Sequence, residues 1–155
     1  MKLIALSPTD ALHHQATHKV VIEAADVAAL GANASGAIPI FPESGTFPPG
    51  TLIRFANGVL TTPFDFSDAG ITSLLVELGD GGDPDRLLAQ TQIAVDGTEV
   101  LNFTSAGLAY AYPVADTLDA TFTCANGGTP TLAECNAGRL ELYFHVQHQT
   151  ALRRV

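Results

Sequence analysis

Apolar and polar residues alternate with a period of two along much of this chain, which is the pattern of strands with one buried face. Residues 117–124 show it most cleanly: Leu118, Ala120 and Phe122 alternate with Thr117, Asp119, Thr121 and Thr123. Residues 139–147 repeat it, with Leu140, Leu142, Phe144 and Val146 inward and Glu141, Tyr143, His145 and Gln147 outward. Residues 17–24 place Val20 and Ile22 on one face. Residues 71–78 form an apolar run suited to a packed strand, and 37–41 and 109–112 read as short extended pieces.

Turn residues punctuate the strands. Asn57-Gly58, between 51–56 and 59–66, and Asp96-Gly97, between 92–95 and 98–103, are two-residue hairpin signals. Pro63 marks an edge strand or a bulge. Residues 79–86, GDGGDPDR, predict an exposed, sharply bent loop. Helical signals are few: a turn at 27–30 capped by Asp26 and ended by Gly31, one at 131–135, and at most two turns at 87–92. Residues 1–17 read as an extended N-terminal arm or edge segment. The whole is about eight to ten strands in one domain, residues 1–155, and predicts an all-β antiparallel sandwich, jelly-roll-like, with one or two short helical turns.

Composition sharpens the surface of that sandwich. Charged residues make up 15% of the chain, against roughly 25% in ordinary globular domains. Sparse charge points to surface used in subunit contacts, with a neutral, Thr-rich monomer as the alternative. The net charge of −9 argues against nucleic acid and anionic membranes as partners. Ten acidic residues and a single basic one, Arg86, lie between Asp65 and Asp119, whereas Lys2, Lys19, Arg139, Arg153 and Arg154 sit towards the ends. No signal-peptide pattern or membrane-length apolar run is visible, so the expectation is a protein made in a cytoplasm.

Four constellations are candidates for chemistry. Asp80, Asp83 and Asp85 on the Gly-rich loop offer oxygen ligands of the kind calcium takes, but their spacing is not that of an EF-hand. The bland alternative is a turn in which Asp80 or Asp83 caps backbone N–H groups and Arg86 pairs with one of them. His13, His14 and His18 lie near the start, and His145 and His148 near the end, so pairing of the first and last strands would bring imidazoles together. With Glu23 they do not reproduce a cupin metal site; exposed histidines or a pH-sensitive contact are the alternatives. Cys124 and Cys135 flank a Gly/Thr/Pro-rich loop, either as free thiols or as a disulfide. Asp65 and Asp68 suit turns better than a glycosidase pair. No nucleophile elbow or phosphate loop is present. No catalytic, cofactor-binding or metal-ligating residue is assigned, and the chain is expected not to be an enzyme.

The order of several segments resembles the head decoration, or cement, proteins of tailed bacteriophages. The segments are His13-His14-Gln15-Ala16-Thr17-His18-Lys19-Val20-Val21-Ile22, Pro63-Phe64, residues 79–92, Gly97-Thr98-Glu99-Val100 and residues 138–144. The resemblance implies a β-sandwich on the exterior of a virion capsid. It would clamp neighbouring copies of the major capsid protein as a homo-dimer or homo-trimer, with no cofactor. Residues 1–18 and the Arg153-Arg154 tail would then make inter-subunit contacts, and their deletion would leave the fold intact. Rival readings are a tail-associated or receptor- or glycan-binding module and a cupin-type metal enzyme.

Overall fold

The structure, a computed structural model, describes residues 1–42, 45–93, 102–104, 109–126 and 129–148. Among these residues, ten strands form two antiparallel sheets. They are β1 (Lys2–Ala5), β2 (His18–Glu23), β3 (Ser35–Phe41), β4 (Thr51–Phe66), β5 (Ser73–Asp80), β6 (Asp83–Ile93), β7 (Asn102–Phe103), β8 (Tyr110–Ala111), β9 (Leu118–Ala125) and β10 (Cys135–His148). The first sheet runs β1-β2-β10-β4-β7, with β8 also on β4; the second runs β3-β9-β5-β6. Successive strands from β2 to β5 switch between sheets, and the last strand, β10, lies between β2 and β4. With β7 and β8 sharing one edge position, this is the strand order of a jelly roll. The expected all-β sandwich is therefore the fold.

The two-residue period builds the core. Val20, Ile22, Ile53, Phe55, Leu60, Leu140, Leu142 and Phe144 of the first sheet face Leu74, Val76, Leu78, Leu118, Ala120 and Phe122 of the second, all buried. Each of the Val, Ile, Leu and Phe side chains among them contributes roughly 1.5–3 kcal/mol on leaving water.

Four local expectations are corrected. Asn57-Gly58 is not a hairpin: both residues lie inside the 16-residue strand β4, paired along its length with β10. Tyr143 pairs with Asn57 while Phe144 pairs with Phe55, so Ala56 is an extra residue, a β-bulge. The slip shifts the inward set from odd positions (Ile53, Phe55) to even ones (Leu60, Phe64), and such a change of face in sequence imitates a turn. A Cβ at Gly58 would fall 2.2 Å from Phe103 Cζ, so any larger residue there would have to displace that ring. Residues 87–92 belong to strand β6 and are not helical. The helix expected at 27–30 lies earlier, as α2 (Ala24–Ala28), with a capping box between Glu23 and Asp26.

The fourth correction concerns the N-terminus. Residues 1–17 hold an edge strand, β1, as the edge-segment alternative expects, and in addition a helix, α1 (Pro8–His14), so they are not a free arm. Ser7 caps α1 by accepting from Asp10 N, and Pro8 opens it. Thr17 ties the segment to β10: its N–H donates to Phe144 O, and its Oγ1 accepts from Val146 N at 2.9 Å. Deleting residues 1–18 therefore removes part of the sheet. The Asp96-Gly97 turn and the Arg153-Arg154 tail lie outside the described residues. Pro63 fits its expectation of a bulge, in the register irregularity between Thr62 and Asp65. The 3-10 turn Leu132–Glu134 falls where a helical turn was expected. Among the described residues, no helix is long and apolar enough to cross a membrane.

Candidate functional site

The acidic loop is a tight β5–β6 hairpin. Its outermost residues are Gly81 and Gly82, and the chain returns so closely that a Cβ on Gly79 would lie 2.0 Å from Asp83 O. Asp80 is buried, 5% exposed, and its oxygens are answered from three sides. Oδ1 accepts from Gly82 N and Asp83 N, each at 2.9 Å, and the Arg86 guanidinium donates to Oδ2 at 2.5 Å. Burial pushes the Asp80 carboxyl up, but the Arg86 hydrogen bond and charge and the two N–H groups outweigh it and hold the carboxyl below its ordinary value. Arg86 is held in turn over the Tyr110 ring at 4.1 Å. Asp83 is exposed, and the neighbouring Asp85 raises its carboxyl. This is the bland alternative with one difference: the capping carboxylate is buried. The arrangement braces a bend.

The histidines divide into two groups. Pairing of β2 with β10 brings His18 to the end of the sandwich where His145 and His148 also lie. The His18 ring meets Phe41 edge-on at 5.7 Å, and Thr17 Oγ1 lies 2.9 Å from its Nδ1. Burial, then the charges of His148 and His145, lower its pKa from 6.5. His13 and His14 are elsewhere, at the end of α1 on the outer face of the first sheet. There His14 stacks on Tyr143 at 3.8 Å. Among the described residues, no three His, Cys, Asp or Glu side chains form a group suited to a metal ion.

Cys124 and Cys135 are both buried, free thiols. Burial raises both, and with the charge of Asp65 it pushes Cys135 up to about 12. Neither is an activated nucleophile. Asp65 and Asp68 cap the backbone N–H groups of Phe66 and Gly70.

The outer face of the first sheet carries a charge network that alternation alone places in solvent. Glu141 is buried, 9% exposed, beneath Lys19 and Tyr143. Tyr143 donates to its Oε2 at 2.7 Å, Lys19 to Oε2 at 3.1 Å and Arg139 to Oε1 at 3.0 Å, while Arg139 also pairs with Glu23. Burial raises the Glu141 carboxyl, and these three donors more than reverse it.

Beside this network, the end of α1 and strand β4 enclose an open cleft of about 400 Å³. His13, His14, Gln15, Arg54, Asn57 and Thr104 supply its polar lining. The sequence reading missed it. Its signals were the helix start Ser7-Pro8 with Asp10 three residues after the cap, which seats the histidines, and an outward Arg54 in an otherwise acidic body. Comparison with protein-family models, with curated proteins and with solved structures gives no match.

Proposed function

We propose that this chain is a structural protein of a tailed-phage head that binds the outside of the shell. In this reading it clamps neighbouring copies of the major capsid protein, as a dimer or trimer. The observation that carries the reading is the outer face of the second sheet. Ser35, Thr123 and Leu75 form one row across three adjacent strands, and Ala37, Thr121 and Glu77 the next. These side chains are half-exposed or exposed, and Glu77 is the only charge among the six. A flat face of small and neutral side chains loses little solvation when covered by another protein, as interfaces depleted of charge do. The resemblance of the segment order to decoration proteins is what suggests the partner.

The test is co-sedimentation with purified heads, with mass from light scattering. The wild-type protein is expected to load onto heads and to run as a dimer or trimer in solution. A Thr121→Arg, Thr123→Arg double variant is expected to fold normally and lose head binding. Binding only to tails, or to neither particle part, overturns the reading.

A further inference from the structure

We infer that the cleft between α1 and β4 is a binding site for an oxyanion, a ligand bearing carboxylate or phosphate groups. Three observations converge. Of the three described arginines, Arg86 and Arg139 have carboxylate partners, and Arg54 has none among the described residues. Arg54 gives one Nη2 hydrogen bond, at 3.1 Å, to the Gln15 carbonyl. A guanidinium has five N–H donors, so most of its donor capacity is left for a ligand. Of the five described lysines and arginines, Lys19, Arg86 and Arg139 pair with carboxylates, whereas Arg54, like Lys2, does not.

The second observation is the lining. His13 and His14 join Arg54, and among the described residues no carboxylate lines the cleft. Of the described acids nearby, Asp10 accepts from Ser7, and Glu141 is bonded to Lys19, Arg139 and Tyr143. Asn57 and Thr104 add neutral donors, and Ala56 and Val59 an apolar wall. Converging polar groups on a partly apolar wall, in a cleft of this volume, are what small-ligand sites provide.

The third observation is pre-organisation. Gln15 takes the left-handed conformation, φ 51°, as the cap of α1, which turns its carbonyl to Arg54. His14 is held against Tyr143, itself anchored on Glu141. Arg54 is fixed at its position in the sheet opposite His145 of β10. Arg54 and the His14 ring are thus held by structure before any ligand arrives, which lowers the ordering cost of binding. This site does not depend on the shell-binding reading, since it lies on the other sheet.

The experiment is isothermal titration of the full chain with citrate, inorganic phosphate and a hexaglutamate peptide at low salt. Saturable binding is expected for at least one probe. Arg54→Gln is expected to weaken it by at least about tenfold, and added salt to weaken it further. Arg54→Lys keeps the charge and is expected to retain part of the affinity. Strongest binding of the peptide assigns the oxyanion to acidic side chains of a protein partner; strongest binding of citrate or phosphate assigns a free small ligand. Absence of heat with all three probes overturns the site. Equal affinity in wild type and Arg54→Gln, both folded by circular dichroism, overturns its placement.

Discussion

The β5–β6 hairpin and the cleft beneath α1 each gather charge at a bend in the chain, and they differ in what answers that charge. In the hairpin, Asp80 is enclosed by two backbone N–H groups and Arg86, and both of its oxygens are bonded. In the cleft, Arg54 meets a single carbonyl and faces two imidazoles. The hairpin is rich in ligand-type residues in sequence and closed in space. The cleft is unremarkable in sequence, assembled from residues about 40 positions apart, and open in space. A site is marked by hydrogen-bonding capacity left unanswered, and that property belongs to the folded chain.

The largest effect is expected at Asp80. Asp80→Ala leaves Arg86 and two hairpin N–H groups without their acceptor and is expected to cost about 3–5 kcal/mol, read from denaturant unfolding. A cost near that of an ordinary surface substitution would mean that the hairpin charge is not structural. Gly79→Ala comes next, because its methyl would collide with the Asp83 carbonyl. A loss of at least about 2 kcal/mol is expected, with the same measurement deciding.

Protons give a smaller and graded effect. Asp80 has a folded pKa below its unfolded value of 3.8, so its contribution is present above pH 3.8 and is lost as pH falls through the folded value. His18 has a folded pKa below 6.5, so the unfolded chain binds the proton more readily. Stability is therefore expected to begin falling as pH drops through 6.5, well before the hairpin responds. Melting temperature against pH should show both steps, and His148→Gln should diminish the upper one. A profile flat between pH 7 and 5 contradicts the histidine step.

Arg54→Gln is expected to have the smallest effect on stability, within about 0.5 kcal/mol by denaturant unfolding, because the side chain makes one exposed hydrogen bond. A loss comparable to Asp80→Ala would make Arg54 structural and erase the contrast.

The sandwich was legible because its signal is local: alternation at Leu118, Ala120 and Phe122, and at Leu140, Leu142 and Phe144, fixes which faces are buried. The bulge at Ala56 was not, because a one-residue slip and a hairpin turn change the hydrophobic parity in the same way. Glu141 and Tyr143 point outward as alternation predicts; their burial comes from the neighbouring Arg139 and from Lys19 and α1, both distant in sequence. The helix α1 itself was legible in Ser7, Pro8 and Asp10, but its short length and polar end resemble an arm. The cleft needed α1 to dock on β4, and no single segment encodes that.

The contrast is tested most directly by mapping ligand-induced shifts of backbone amide signals in the same ¹⁵N-labelled sample, first with calcium and then with citrate. Calcium is expected to move neither Gly82 nor Asp83, whose N–H groups are already bonded to Asp80. Citrate is expected to move Gln15, Arg54 and Asn57 and leave the hairpin still. Saturable shifts at Gly82 and Asp83 with calcium, together with an unmoved cleft, would contradict the account.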